Sequence, residues 1–389
     1  MDGHTPTLPD RWVTEVNGCE VSFGEGTLSE LGAVVRRLGG ERVLLVTDPG
    51  LEEAGHADRA VASLNAEGCR VTVFDQVEEN PTSEHVEEGA RVARLAETDL
   101  LVGLGGGSAM DCAKGINFLV SNGGRMEDYW GFGKAPRPML PSVGVPTTAG
   151  TGSEAQSYAL ISQVETHRKM ACGDPKARFR GVVLDPQVLR TVPRDVMAVS
   201  GFDAIAHAVE SHVCTRRNPI SQLLSREAWH LLSRSFRRVM EEAEDAGARS
   251  DMLLGAFLAG AAIEKSMLGL AHSCANPLTA RFGVVHGGAV GLMLPSVVRF
   301  NAVAAEGLYG ELLAAAGLST NGQGNAGRLS AELESLRESA GLPVRLQEVG
   351  VESGALATLA AEAAVQWTAQ FNPRPAAADD LKRLYETAF

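Results

Sequence analysis

The chain has 389 residues, enough for two or three domains with real cores. An apolar fraction of 44% and a charged fraction of 21% are those of a globular enzyme and exclude disorder as the main state. With 35 basic and 48 acidic residues the net charge is −13, which argues against a nucleic-acid binder working through a basic face.

Residues 1–12 are polar and lack the charged start and apolar middle of a signal peptide, so a cytoplasmic location is expected. Strands follow at 42–47 (RVLLVT), Arg70–Phe74 (RVTVF), 100–104 (LLVGL), 142–145 and Gly181–Leu184 (GVVL). Helical patterns at 54–66 and 82–95 lie between them. This alternation predicts a parallel, doubly wound sheet. Beyond Thr191 the β signal fades, and 195–214, 220–242, 250–266, 308–313, 329–339 and 356–367 read as helices. Prolines at 219, 277, 295, 343, 373 and 375 punctuate them. The expected organisation is an α/β domain over 1–190 and a helical domain over 191–389, with the cleft between them as the ligand site. The longest apolar stretches, at 252–263 and 289–298, are too short to span a bilayer. Six cysteines form no CxxC pair and read as buried, reduced thiols.

Three motifs carry chemistry. Gly105, Gly106, Gly107 and Ser108 join the strand 100–104 to a helix at 109–118. A strand, a glycine turn and a helix N-terminus hold a phosphate through free N–H groups and the helix dipole; a plain tight turn is the alternative. Asp48, at the end of the strand 42–47, can accept from ribose hydroxyls and repel a 2′-phosphate, favouring NAD over NADP, or it can cap a turn. The segment 146–154 (PTTAGTGSE) suits a loop on ribose and pyrophosphate, or a plain polar loop.

Asp203 and His207 stand four apart in GFDAIAHAVES, on one face of a helix. With His272 and His286 they supply four N/O donors, a set suited to Fe²⁺ or Zn²⁺. A helix salt bridge is the plainer reading of the pair.

Together these signals resemble the iron-containing alcohol dehydrogenases, the group III metal-dependent family, from about residue 12 to the end. The matching stretches are GGGSAMDCAK at 105–114, PTTAGTGSE, Asp203–Ser211, His272–Gly287 and the tail Asn372-Pro373-Arg374-Pro375. The resemblance implies a Rossmann-like domain followed by an all-α metal-binding domain, the dehydroquinate synthase-like fold. It implies Asp203, His207, His272 and His286 as metal ligands. It places the pyrophosphate at Gly105 to Ser108, with Asp111 in the same motif, and NAD selectivity at Asp48. Thr147, Thr148, Thr151 and Lys169 become further cofactor contacts, and a homodimer is implied. The expected activity is NAD(H)-dependent interconversion of a small primary alcohol and its aldehyde. Rival readings are a dehydroquinate-synthase-like lyase and a non-catalytic metal- or nucleotide-binding scaffold.

One position departs from the pattern. Many members carry a histidine four residues after the third ligand, as a candidate proton carrier; here it is Asn276. That role then falls to water, the cofactor ribose or His212, and Asn276 is left to bond the substrate. Arg216, Arg217 and Arg281 read as surface residues, or as a grip on an anionic aldehyde such as phosphonoacetaldehyde.

Overall fold

A computed structural model describes residues 11–164, 168–320, 322 and 324–389. The N-terminal segment read above up to Asp10 lies outside them. The described residues begin with a hairpin not among the expected strands: β1 (Arg11–Val16) and β2 (Cys19–Gly24) pair antiparallel about Asn17-Gly18. Asparagine–glycine is the turn that matches strand twist.

Then come α1 (Leu31–Arg37), β3 (Arg42–Val46), α2 (Pro49–Glu53), α3 (His56–Ala66), β4 (Arg70–Phe74) and α4 (Ser83–Leu95). The helix expected over 54–66 starts two residues late, because Gly55 adopts φ 75° and separates α2 from α3. β5 (Leu100–Gly105), α5 (Gly107–Asn122), β6 (Gly131–Phe132) and β7 (Ser142–Pro146) follow. β8 (Tyr158–Ser162), β9 (Lys169–Gly173) and β10 (Gly181–Leu184) complete the strands.

The main sheet runs β1-β2-β10-β7-β5-β3-β4, with every neighbouring pair parallel except the hairpin. Every residue of β5 is buried, which is why it reads as an unbroken apolar run. On one face Val43, Leu45, Val102, Leu104, Val143, Val145 and Val183 pack with Leu31, Val34 and Val35 of α1 and Ala57, Ala60 and Leu64 of α3. β6, β9 and β8 form a separate small sheet that the periodicity did not reveal.

The remainder is helical: α6 (Arg194–Val213), α7 (Pro219–Glu241), α8 (Ala246–Lys265), α9 (Leu270–Phe282) and α10 (His286–Phe300) come first. They are followed by α11 (Ala302–Ala315), α12 (Asn325–Ser339), α13 (Leu356–Ala364) and α14 (Ala378–Ala388). Pro277 and Pro295 sit inside α9 and α10, correcting their reading as punctuation. Pro295 has no N–H for the carbonyl of Gly291, and buried Arg337 donates to that carbonyl instead, at 3.2 Å.

Contacts divide the chain into two compact units, Met1–Thr147 with Ser157–Thr191, and Thr148–Gln156 with Val192–Phe389. The first is the α/β half and the second the helical half, the expected fold class. All six cysteines are buried and unpaired by disulfide. Among the described residues no single helix is long and apolar enough to cross a membrane.

Candidate metal centre and nucleotide-binding turns

α6 is buried on nearly all sides, so its polar residues stand out. Asp203 and His207 share one face. His272 enters from the first turn of α9, and His286 opens α10. Asp203 lies at the centre. Its Oδ2 is 3.5 Å from His207 Nε2, and its Oδ1 is 3.4 Å from His272 Nε2 and 3.8 Å from His286 Nε2. One ligand atom each from Asp203, His207 and His272 lie within 4.8 Å of one another. His286 comes this close because its neighbour is Gly287: a Cβ there would sit 1.9 Å from the carbonyl oxygen of Val199 on α6.

The electrostatics of the cluster centre on the Asp203 carboxylate. Burial pushes the Asp203 carboxyl up, but His207, His272 and His286 outweigh it and hold the group well below the usual carboxylate range. Burial takes His207 down to about 4 against the pull of Asp203. Burial also opposes charge on His272, but the neighbouring carboxylates of Asp203 and Glu210 prevail and raise it to about 9. Asp203 Oδ1 and His272 Nε2 are buried and complete no hydrogen bond. Such orphaned atoms call for a partner. Donors at about 2.1 Å from a tetrahedral ion stand about 3.4 Å apart, close to the separations seen here. The residues therefore fit a divalent ion, with only His286 partly open to solvent, its side chain 37% exposed.

The α/β half gathers its polar residues at the carboxyl ends of parallel strands, where open sheets bind ligands. β5 runs into Gly106, which caps α5 without a side-chain hydrogen bond, leaving first-turn N–H groups for an anion. Thr147, at the end of β7, donates its N–H to the carbonyl of Gly105 at 2.9 Å. Asp48 takes the capping role. Its Oδ1 accepts from Leu51 N at 3.2 Å as the cap of α2, while its Oδ2 would lie 3.4 Å from a Cβ on Gly105. Ser108 and Lys169 meet through Asn80: Asn80 N donates to Ser108 Oγ at 3.2 Å, and Lys169 Nζ donates to Asn80 Oδ1 at 2.9 Å. In the helical unit, Thr151 Oγ1 accepts from Ser153 N at 3.3 Å. Thr148, its neighbour in that loop, is partly exposed.

The sequence matches the family model of iron-containing alcohol dehydrogenases over residues 19–186 and the C-terminal model of the same family over residues 197–389. The chain belongs to the iron-containing alcohol dehydrogenase family. It is 30% identical over 369 residues to the NAD-dependent methanol dehydrogenase of Bacillus methanolicus, covering 94% of this chain and 97% of that one. It is 31% identical over 373 residues to the lactaldehyde reductase of Escherichia coli K12, covering 94% and 97%. Alcohol dehydrogenase 4 of Schizosaccharomyces pombe is 36% identical over 279 residues, 72% of this chain and 66% of that protein. A crystal structure of 1,3-propanediol oxidoreductase superposes with a TM-score of 0.92 at 30% identity, covering 98% of this chain and all (100%) of that one.

Other candidates of the dehydrogenase fall outside the cluster. His212 is fully buried; its Nδ1 meets Ser225 Oγ at 3.0 Å and its Nε2 lies 3.5 Å from Glu311 on α11. Burial, with Arg226 and Arg217 nearby, lowers its pKa to about 4, so at neutral pH it is an uncharged packing residue. Five positions from His207, it faces away from the ligand stripe. Asp111 turns inward, accepting from Leu160 N at 3.1 Å, and ties α5 to β8. Asn276 donates to Gln366 Oε1 at 3.0 Å. Arg281 grips Glu362 with two nitrogens, Arg217 donates to the carbonyls of Val213 and Cys214, and Arg216 lies over the Phe371 ring. Two residues escaped the sequence reading. Asn80 left only its place before Pro81 in the sequence; in the structure it adopts a left-handed φ of 57°, a conformation that asparagine tolerates. Glu210 was legible: it stands seven residues from Asp203 and three from His207, on their stripe.

Proposed function

We propose that this family member is an NAD(H)-dependent oxidoreductase that interconverts a small, uncharged primary alcohol and its aldehyde. The convergence of Asp203, His207, His272 and His286 on one point, with Asp203 Oδ1, His207 Nδ1 and His272 Nε2 buried and orphaned, carries the reading. Methanol, propanediol and lactaldehyde in the names of relatives support a small substrate. Engagement of Arg281 by Glu362, of Arg217 by helix-end carbonyls and of Arg216 by Phe371 favours an uncharged substrate over phosphonoacetaldehyde.

A divalent ion at this site supplies a Lewis acid for the substrate oxygen, and a nicotinamide supplies or accepts the hydride. The four side chains hold and orient the ion; Fe²⁺ and Zn²⁺ both suit one carboxylate and three imidazoles. The first turn of α5 binds pyrophosphate, Lys169 and Asn80 flank the cofactor, and Asp48 selects NAD over NADP by repelling a 2′-phosphate. The 146–154 loop, with Thr147, Thr148 and Thr151, contacts the rest of the cofactor. Asn276 does not ionise near neutral pH, and buried His212 is neutral, so the proton passes to and from water at the His286 side. The α/β domain over 1–190 takes the nucleotide and the helical domain over 191–389 the metal and the substrate. Family analogy extends the reading to a cytoplasmic homodimer.

The deciding experiment offers charged and uncharged aldehydes, with NADH and NADPH, to protein reconstituted with Fe²⁺ or Zn²⁺. Sustained NADH oxidation with uncharged aldehydes is expected. Tight NAD binding with no turnover of any aldehyde or alcohol would instead favour the lyase or the non-catalytic scaffold.

A further inference from the structure

The mechanism leaves unused a buried carboxylate that touches the metal cluster. Glu210 on α6 is 3% exposed, and its two oxygens do different things. Oε2 accepts from His272 Nδ1 at 2.5 Å, with His272 N also 3.4 Å away; Oε1 accepts from Ala271 N at 2.7 Å. The helix they belong to, α9, starts after Gly269 with no side-chain cap of its own. Its first N–H groups must find acceptors outside the helix, and negative charge is favoured there by the helix dipole. Asn372 completes the arrangement. Its Oδ1 is 3.4 Å from Leu270 N, while Asn301 and the carbonyl of Arg374 pin its amide at 2.6 to 3.0 Å. A Cβ on Gly269 would lie 3.0 Å from both Glu210 Oε1 and Asn372 Oδ1, so the helix start fits closely around both side chains.

The geometry points to Glu210 as a positioning residue for His272. By accepting at both oxygens it keeps the proton on Nδ1, leaves Nε2 as the ring atom available to an ion beside Asp203, and fastens the helical turn that carries the ring. A neutral amide cannot do this. If its oxygen faced Ala271 N, its NH₂ would face Nδ1 and favour the tautomer whose Nε2 is already protonated. If it flipped, donor would meet donor at Ala271. Partners of this kind around a ligand histidine set both tautomer and orientation. The inference rests on the four-ligand reading above.

The test strips the full-length protein of metal and titrates it with Co²⁺, reading the dissociation constant and the visible ligand-field bands. Glu210→Gln is expected to weaken Co²⁺ binding roughly 10- to 100-fold and to shift the bands. Asn372→Ala loosens the same helix start without touching the ring; it is expected to lower the melting temperature of the metal-free protein while leaving Co²⁺ affinity within about threefold. Should Glu210→Gln not fold, Glu210→Asp, which keeps the charge but withdraws it from the ring, is held to the same criterion. Wild-type affinity and bands in the Glu210 variant would overturn the inference. So would an equal loss of affinity in Asn372→Ala, which would mark Glu210 as a helix anchor only. Wild-type protein that binds no Co²⁺ would bring down the four-ligand reading itself, and this inference with it.

Discussion

His272 Nε2 and Asp203 Oδ1 face each other across 3.4 Å inside the helical half, and neither atom completes a hydrogen bond. Two such atoms in a dry interior are costly unless a cation joins them. Added Fe²⁺ or Zn²⁺ should therefore stabilise the folded protein, by about 2.7 kcal/mol once free metal reaches a hundredfold excess over its dissociation constant. Calorimetry should show the melting temperature rising by several degrees in wild type and not in Asp203→Asn. An equal rise in the variant would place the metal elsewhere.

The buried ring of His212 makes a prediction about acid. Its folded pKa is lowered from the ordinary 6.5 to about 4, burial being the main cause. Between those values the unfolded chain holds a proton that the folded chain does not. The stabilisation is thus complete above pH 6.5 and is lost as pH falls toward 4. Arg226 and Arg217 act in the same sense, while Glu311 faces Nε2 from α11. His212→Asn, which keeps a partner for Ser225, should melt with a shallower pH slope over this window and keep its turnover at neutral pH. A large loss of turnover with full metal loading would return His212 to the proton route.

Substitution can separate the cofactor selection proposed for Asp48 from its observed capping of α2. Ser caps a helix nearly as well as Asp, whereas Ala costs about 1 kcal/mol at such a position. Asp48→Ser should thus preserve the melting temperature yet raise the NADPH-to-NADH ratio of kcat/KM at least tenfold, because the repelling charge is gone. Asp48→Ala should show the same cofactor change together with lower stability. If neither variant alters the ratio, the residue is a cap alone.

Asn276, held by Gln366, gives α9 no titrating group four residues after His272. Asn276→His restores the residue many family members carry. It should introduce an ionisation between pH 6 and 7, about the ordinary histidine value, into the kcat profile and increase turnover several-fold on the acidic side. An unchanged profile would mean that water delivers the proton without competition.

Much of this was legible from residues alone. The continuous apolar run of β5, the glycine turn after it and the i, i+4 pair of Asp203 and His207 are local signals, fixed by strand burial and helix pitch. So is the stripe position of Glu210, three residues beyond His207. Other features had no local signal. His272 and His286 lie far along the chain, and only the packing of α9 and α10 against α6, with Gly287 against Val199, brings them to Asp203. His212 has the composition of a proton carrier, yet α6 turns it between α7 and α11, where burial keeps it neutral. Arg281 carries a free charge in sequence and a committed one beside Glu362. Local periodicity depends on a residue's own neighbours, so a sequence states it; charge, exposure and ligand convergence depend on which distant segments arrive, and only the folded chain decides that.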